Sequence, residues 1–80
     1  MTKKNINSKV FIRLKDKTNN CESKEITIED LIYNQNEIEF TFPNYIDEYV
    51  DEPYEASCPY KDFLFYQNDY EVIVRIGDDK

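Results

Sequence analysis

The chain contains no histidine, no tryptophan and only one glycine among its 80 residues. Without histidine it lacks the commonest general base at neutral pH and the commonest zinc ligand. A single glycine is too few for a glycine-rich phosphate loop. Its two cysteines, Cys21 and Cys58, stand far apart and outside any paired-cysteine motif, so no structural zinc site is expected. No stretch approaches the ~20 apolar residues of a membrane span. The polar, lysine-containing start from Met1 to Lys9 lacks the apolar run of a signal peptide. These absences predict a cytoplasmic location with both thiols reduced and packed as small hydrophobes.

What is abundant is carboxylate and tyrosine: 17 Asp and Glu against 10 Lys and Arg, for a formal charge of -7, with seven Tyr and five Phe. Carboxylate pairs alone suit a two-acid hydrolase, but a chain this short offers little scaffold for a deep substrate cleft. No catalytic residues, cofactor or metal are expected. A calcium loop is not expected either, because the Asp-x-Asp-x-Asp-Gly pattern is missing and Pro53 interrupts the acidic run. The charge is uneven, with seven basic and two acidic residues in 1–24 and three against fifteen in 25–80. The basic part either pairs internally with the acidic remainder or forms a contact surface of its own.

Read along the chain, residues 1–8 form a flexible polar end, 9–77 a single small domain and 78–80 a tail. Val10, Ile12 and Leu14 alternate with Phe11, Arg13 and Lys15, the period of a strand. Residues 25–33 carry two patterns. Ile26 and Ile28 alternate, whereas Thr27 followed by Glu29 and Asp30 resembles a helix start. A strand bulged near Glu29 and Asp30 reconciles the phase and makes a hairpin with Ile38, Phe40 and Phe42. Pro43 ends that second strand. Ser57 to Pro59 reads as an irregular connection and Phe63 to Tyr66 as a short strand. After a turn at Gln67 to Asp69, Tyr70, Val72, Val74 and Ile76 fall on one face of a last strand. The expected fold is mainly β, with an α+β variant open. It is a small antiparallel sheet or half-barrel of about five strands, with an acidic loop or short helix at 44–55. Phe11, Ile73, Phe63 and Phe65 lie on the sheet's second apolar side, which the 44–60 segment is expected to cover through Ile46 and Val50.

The densest feature is the segment Tyr45 to Glu55. It holds Asp47, Glu48, Asp51, Glu52 and Glu55 among Tyr45, Tyr49 and Tyr54, with no basic residue. As a helix, Asp47, Asp51 and Glu55 would form an i, i+4, i+8 stripe at ~6 Å per carboxylate, and all five acids would span ~12 Å, about the length of four phosphates ~3.4 Å apart on a DNA strand. A shorter helix over 44–51 would be capped by Asn44. Like charges at i, i+4 and the proline at 53 oppose that helix. As an extended loop the same acids spread more thinly. An acidic, solvated flank of a packed segment is the plain structural alternative.

A basic nucleic-acid-binding surface recognises negative charge beside flat rings. The eight residues therefore suggest a partner-binding site on a small acidic inhibitor of a nucleic-acid-binding enzyme. Such a protein would be mobile-element encoded, of anti-CRISPR or anti-restriction type, and would act by polyanion mimicry. Direct nucleic-acid binding and membrane contact are not expected. The alternative is a toxin-neutralising immunity protein, or a regulatory or structural subunit that binds through its sheet edge.

Overall fold

In a computed structural model residues 8–78 are described. The expected N-terminal end and C-terminal tail lie outside that span, except that Ser8 and Asp78 belong to strands. Five strands and two short helices follow in the order β1 (Ser8–Asp16), β2 (Ile26–Thr27), α1 (Ile28–Tyr33), β3 (Glu39–Tyr45), β4 (Tyr54–Pro59), α2 (Tyr60–Phe65) and β5 (Tyr70–Asp78). They make two antiparallel sheets, one ordered β2-β1-β5 and the other the hairpin β3-β4. The fold is thus mainly β, as the alternation predicts, but the strands do not curl into a half-barrel.

The long partnership is β1 with β5, where Leu14 faces Val72, Ile12 faces Val74 and Val10 faces Ile76. On the second sheet Phe40 faces Cys58 and Phe42 faces Ala56. Ile12, Leu14, Phe40, Phe42 and Cys58 form one buried cluster joining the two sheets, and Leu14 is wholly inaccessible. Burying these side chains is the main favourable term available to so short a chain, at about 1.5–3 kcal/mol for each large one. Both cysteines are free.

Several sequence expectations are corrected here. Residues 25–33 are not a bulged strand: two residues of β2 lead directly into α1, whose Thr27 cap accepts a hydrogen bond from the Asp30 N–H at 3.1 Å. Ile28 and Leu31, three apart on that helix, both pack on the core, so the helical period accounts for the phase slip. The partner of β3 is β4 rather than 25–33; the residue just before that segment, Lys24, donates its N–H to the Thr41 carbonyl at 2.8 Å. Ser57 to Pro59 is therefore ladder, not connection. Residues 63–65 are helical, with Tyr60 and Phe63 turned to the core and Phe65 left 82% exposed.

The 44–60 segment does not cover the sheet's second face, because Ile46 and Val50 are themselves exposed. That face is closed over Phe11 by the Arg75 guanidinium, 4.2 Å from the ring centroid, a cation–π contact. Glu25 holds Arg75 at 2.9 Å and Arg13 at 3.2 Å, and Arg13 also reaches Glu22 at 2.7 Å. Of the basic residues in 1–24, Arg13 is thus paired internally, and Lys24 lies 3.9 Å from Glu55.

Candidate functional site

β3 carries one residue more than β4 between the Phe42–Ala56 and Tyr45–Tyr54 pairs, a bulge at which Asn44 has φ 59°. Asparagine tolerates this left-handed conformation better than most residues. The bulge keeps Tyr45 on the same side as Phe42, and their rings meet edge to face at 5.9 Å. From Tyr54 the rings run on through Tyr45, Phe42, Tyr70 and Phe63, each within 6.1 Å of the next. The aromatic core therefore continues to the mouth of the acidic segment and stiffens it.

Beyond the bulge the chain is neither a helix nor a straight strand. Residues 46–53 form a hairpin loop. Asp47 starts its turn, accepting the Val50 N–H on its carbonyl at 3.0 Å and the Tyr49 N–H on Oδ1 at 2.9 Å. This local competition by an aspartate side chain is the usual reason that Asp opens turns. The Tyr54 hydroxyl donates to Asp47 Oδ2 at 3.2 Å, and the Asn19 amide donates to the Ile46 carbonyl at 2.7 Å. The loop is thus tethered through polar groups, where Ile46 and Val50 were expected to anchor it. No i, i+4 carboxylate stripe exists.

The loop and the ends of β1 and β5 enclose a cleft of about 520 Å³. Tyr45, Asp47, Glu48 and Tyr49 line one side, with Ile46 between them. Asp16, Thr18, Asn19, Tyr66, Asp69 and Tyr70 line the rest. Four of the eight expected site residues therefore share this space, and the other four do not. Asp51 and Glu52 lie at the exposed loop tip. Tyr54 supports Asp47 and Tyr45 from behind. Glu55 points elsewhere, 3.9 Å from Lys24 Nζ.

Asp16, Asp69, Tyr66 and Tyr70 were missed because they enter from other elements. The available signal was the matching alternation of 10–16 and 70–76, which brings Asp16 opposite Tyr70. Asp16 is the deepest acid, 5% exposed. Its Oδ1 accepts the Thr18 N–H at 2.8 Å and its Oδ2 accepts the Tyr45 hydroxyl at 3.0 Å. Both donors are neutral, and no basic side chain lines the cleft among the described residues.

Burial, reinforced by the bond to Asp16, pushes the Tyr45 hydroxyl up to about 12. Burial, with Cys58, Tyr45 and Asp16 nearby, raises Tyr70 further. Desolvation and Asp47 raise Tyr54. At neutral pH these rings are therefore protonated donors. Burial also raises both thiols, the Cys21 thiol with help from Asp16 and Glu22, so neither has the thiolate character of a nucleophile. Among the described residues no group of three or more His, Cys, Asp or Glu is arranged to hold a metal ion. None of the described helices is long and apolar enough to cross a membrane. The arrangement suits a cation, which would meet carboxylates for charge-assisted hydrogen bonds and ring faces for cation–π contact.

No family model, curated protein or solved structure matches the chain.

Proposed function

We propose that the chain is a small acidic binding protein that occupies the nucleic-acid-binding surface of a basic enzyme. It is an inhibitor of the anti-CRISPR or anti-restriction type. The observation that carries this reading is the cleft. Asp16, Asp47, Glu48 and Asp69 converge there with four tyrosines and no Lys or Arg. An arginine or lysine that holds a phosphate in the partner finds carboxylate acceptors here, and ring faces replace the bases that its neighbours stack on. Asp51 and Glu52 at the loop tip extend the negative field along the line of approach. They speed encounter more than they hold the complex, and their effect fades with salt. Mimicry in this form needs no phosphate ruler. It needs one or two basic side chains captured in a defined pocket, with surrounding charge to steer them.

The experiment is competition. The tagged chain is used to retain proteins from its host at low salt, and the retained enzyme is then assayed for nucleic-acid binding with and without the chain. The reading expects a basic nucleic-acid-binding protein, displaced from its nucleic acid by the chain and released by high salt. Reversing Asp47 and Glu48 to Lys should abolish the competition while the domain stays folded. A partner whose nucleic-acid binding is untouched, or competition that survives the reversal, overturns it.

A further inference from the structure

The outer edge of β5 is an unprotected strand edge, and we infer that two copies of the chain pair through it, antiparallel, with Ile73 on the two-fold axis. The phase of the ladder fixes which groups are free. Lys17 N–H donates to the Asp69 carbonyl at 3.0 Å, in the same register as the β1–β5 pairs. Hydrogen-bonded pairs alternate along an antiparallel ladder, so Glu71, Ile73 and Arg75 turn their main-chain groups toward β1. The opposite edge of β1 agrees, since Leu14 and Asp16 turn theirs toward Ser23 and Cys21. Val72, Val74 and Ile76 therefore present N–H and C=O groups outward, where the sheet order β2-β1-β5 has no further strand among the described residues.

Edges are ordinarily blunted by shortness, proline, lysine or a bulge. The other edge of this sheet, β2, is two residues long, and β3 contains Pro43. β5 runs nine residues with no lysine, proline or bulge, and its interior charges, Glu71 and Arg75, are opposite in sign. Its side chains at Val72, Val74 and Ile76 are 47%, 57% and 70% exposed on the face that the β3-β4 hairpin covers elsewhere.

Charge selects both the occupant and the register. With Ile73 opposite its own copy, Val72 lies opposite Val74 of the second copy, and both main-chain bonds of that pair form in the phase just derived. The same register sets Glu71 opposite Arg75, twice, as non-hydrogen-bonded pairs whose side chains approach most closely. Glu71 is exposed and makes no ion pair among the described residues. Arg75 gives Nε and Nη2 to Glu25 and keeps Nη1 unengaged. Moving the axis two residues on, to Arg75, sets like charges face to face. The pairing consumes both free edges and so closes at two copies. It also sets the two Tyr70 positions, each at the rim of a cleft, roughly 20 Å apart along the joined strands. Seven residues a side fall well short of a standard interface of about 20–30 residues, so the association is weak and concentration-dependent.

Sedimentation of the whole chain over ~10 µM to ~1 mM tests it, and a monomer–dimer equilibrium is expected. Glu71→Arg alone and Arg75→Glu alone should each weaken the dimer about tenfold or more, since each sets two like-charged pairs across the axis. Mixing the two variants should restore association as a heterodimer, because each introduced charge then meets its opposite. Val74→Lys, which leaves the Arg75–Glu25 contact intact, should abolish dimerisation with an unchanged circular dichroism spectrum. This keeps the test sound if Arg75→Glu fails to fold. A monomer at the highest concentration, an open-ended series of oligomers, or a dimer indifferent to Val74→Lys overturns the inference.

Discussion

The Tyr45 hydroxyl donates to the buried Asp16 carboxylate at 3.0 Å across 29 residues of sequence. This bond joins the end of β3 to the end of β1, and so joins the two sheets at the floor of the acidic cleft. Tyr45→Phe keeps the ring packing but removes one of the two donors that satisfy the carboxylate. A loss of about 1–3 kcal/mol is expected. Urea unfolding should show a lower midpoint at unchanged slope. With Asp16→Asn in the background the further loss from Tyr45→Phe should shrink, since the two groups act as a pair.

Alkaline titration should expose the same contact. Tyr45 ionises at about 12 in the folded chain against 10 ordinarily, so the unfolded chain releases its proton first. The stabilisation is complete below pH ~10 and is lost as pH rises toward ~12. Tyr70 and Tyr54, also raised, add in the same direction. Melting temperatures followed from pH 8 to 12 should fall over that window, and less steeply for Tyr45→Phe.

Acid should act through the opposite face. Arg75, with help from Arg13, holds the Glu25 carboxyl below its ordinary value. The unfolded chain therefore takes up that proton first as pH falls. The contribution of Glu25 is complete above its ordinary value of 4.5 and is lost as pH drops through the lower folded value. Glu25→Gln should flatten that part of the acid limb and uncover Phe11, which thermal melts at low pH can measure.

Core and cleft should separate under mutation. Leu14→Ala empties a wholly buried site and should cost about 2–5 kcal/mol, a large part of what a domain this small possesses. Tyr49, 87% exposed at the cleft rim, should tolerate Ala within about 0.5 kcal/mol. Partner affinity should nevertheless fall with Tyr49→Ala and stay unchanged with Glu55→Lys, whose parent carboxylate is turned toward Lys24. Chemical denaturation and competition binding on the same variants would separate the two effects.

β1, β5 and the Phe40–Phe42 strand were legible because each alternates over several residues with one apolar face, a signal that is local and repeated. Residues 60–65 were not, since a short apolar run such as Phe63 to Phe65 fits a buried strand and a buried helix turn equally well. β4 was passed over because its inward residues, Ala56 and Cys58, are small and stand beside Pro59, so its alternation looks like polar loop. Half of the expected site converges on the cleft because Tyr45 to Tyr49 are contiguous. The opposite wall depends on Asp16 meeting Tyr70, a contact set by strand register rather than by any local pattern. Glu55 could not be separated from the other acids because only the position of Lys24 turns it aside.

The bulge at Asn44 also determines where this chain tolerates a change of length. With one residue removed there, β3 and β4 pair without interruption, and Tyr45 keeps its place opposite Tyr54, now on the Phe42 side by ordinary alternation. One residue lost between Phe40 and Phe42 reverses the face of everything upstream or downstream of it. Chains of this architecture can therefore differ by one residue at 43–44 and keep the tyrosine–aspartate contact, so an alignment gap at that point is no sign that the cleft has been lost.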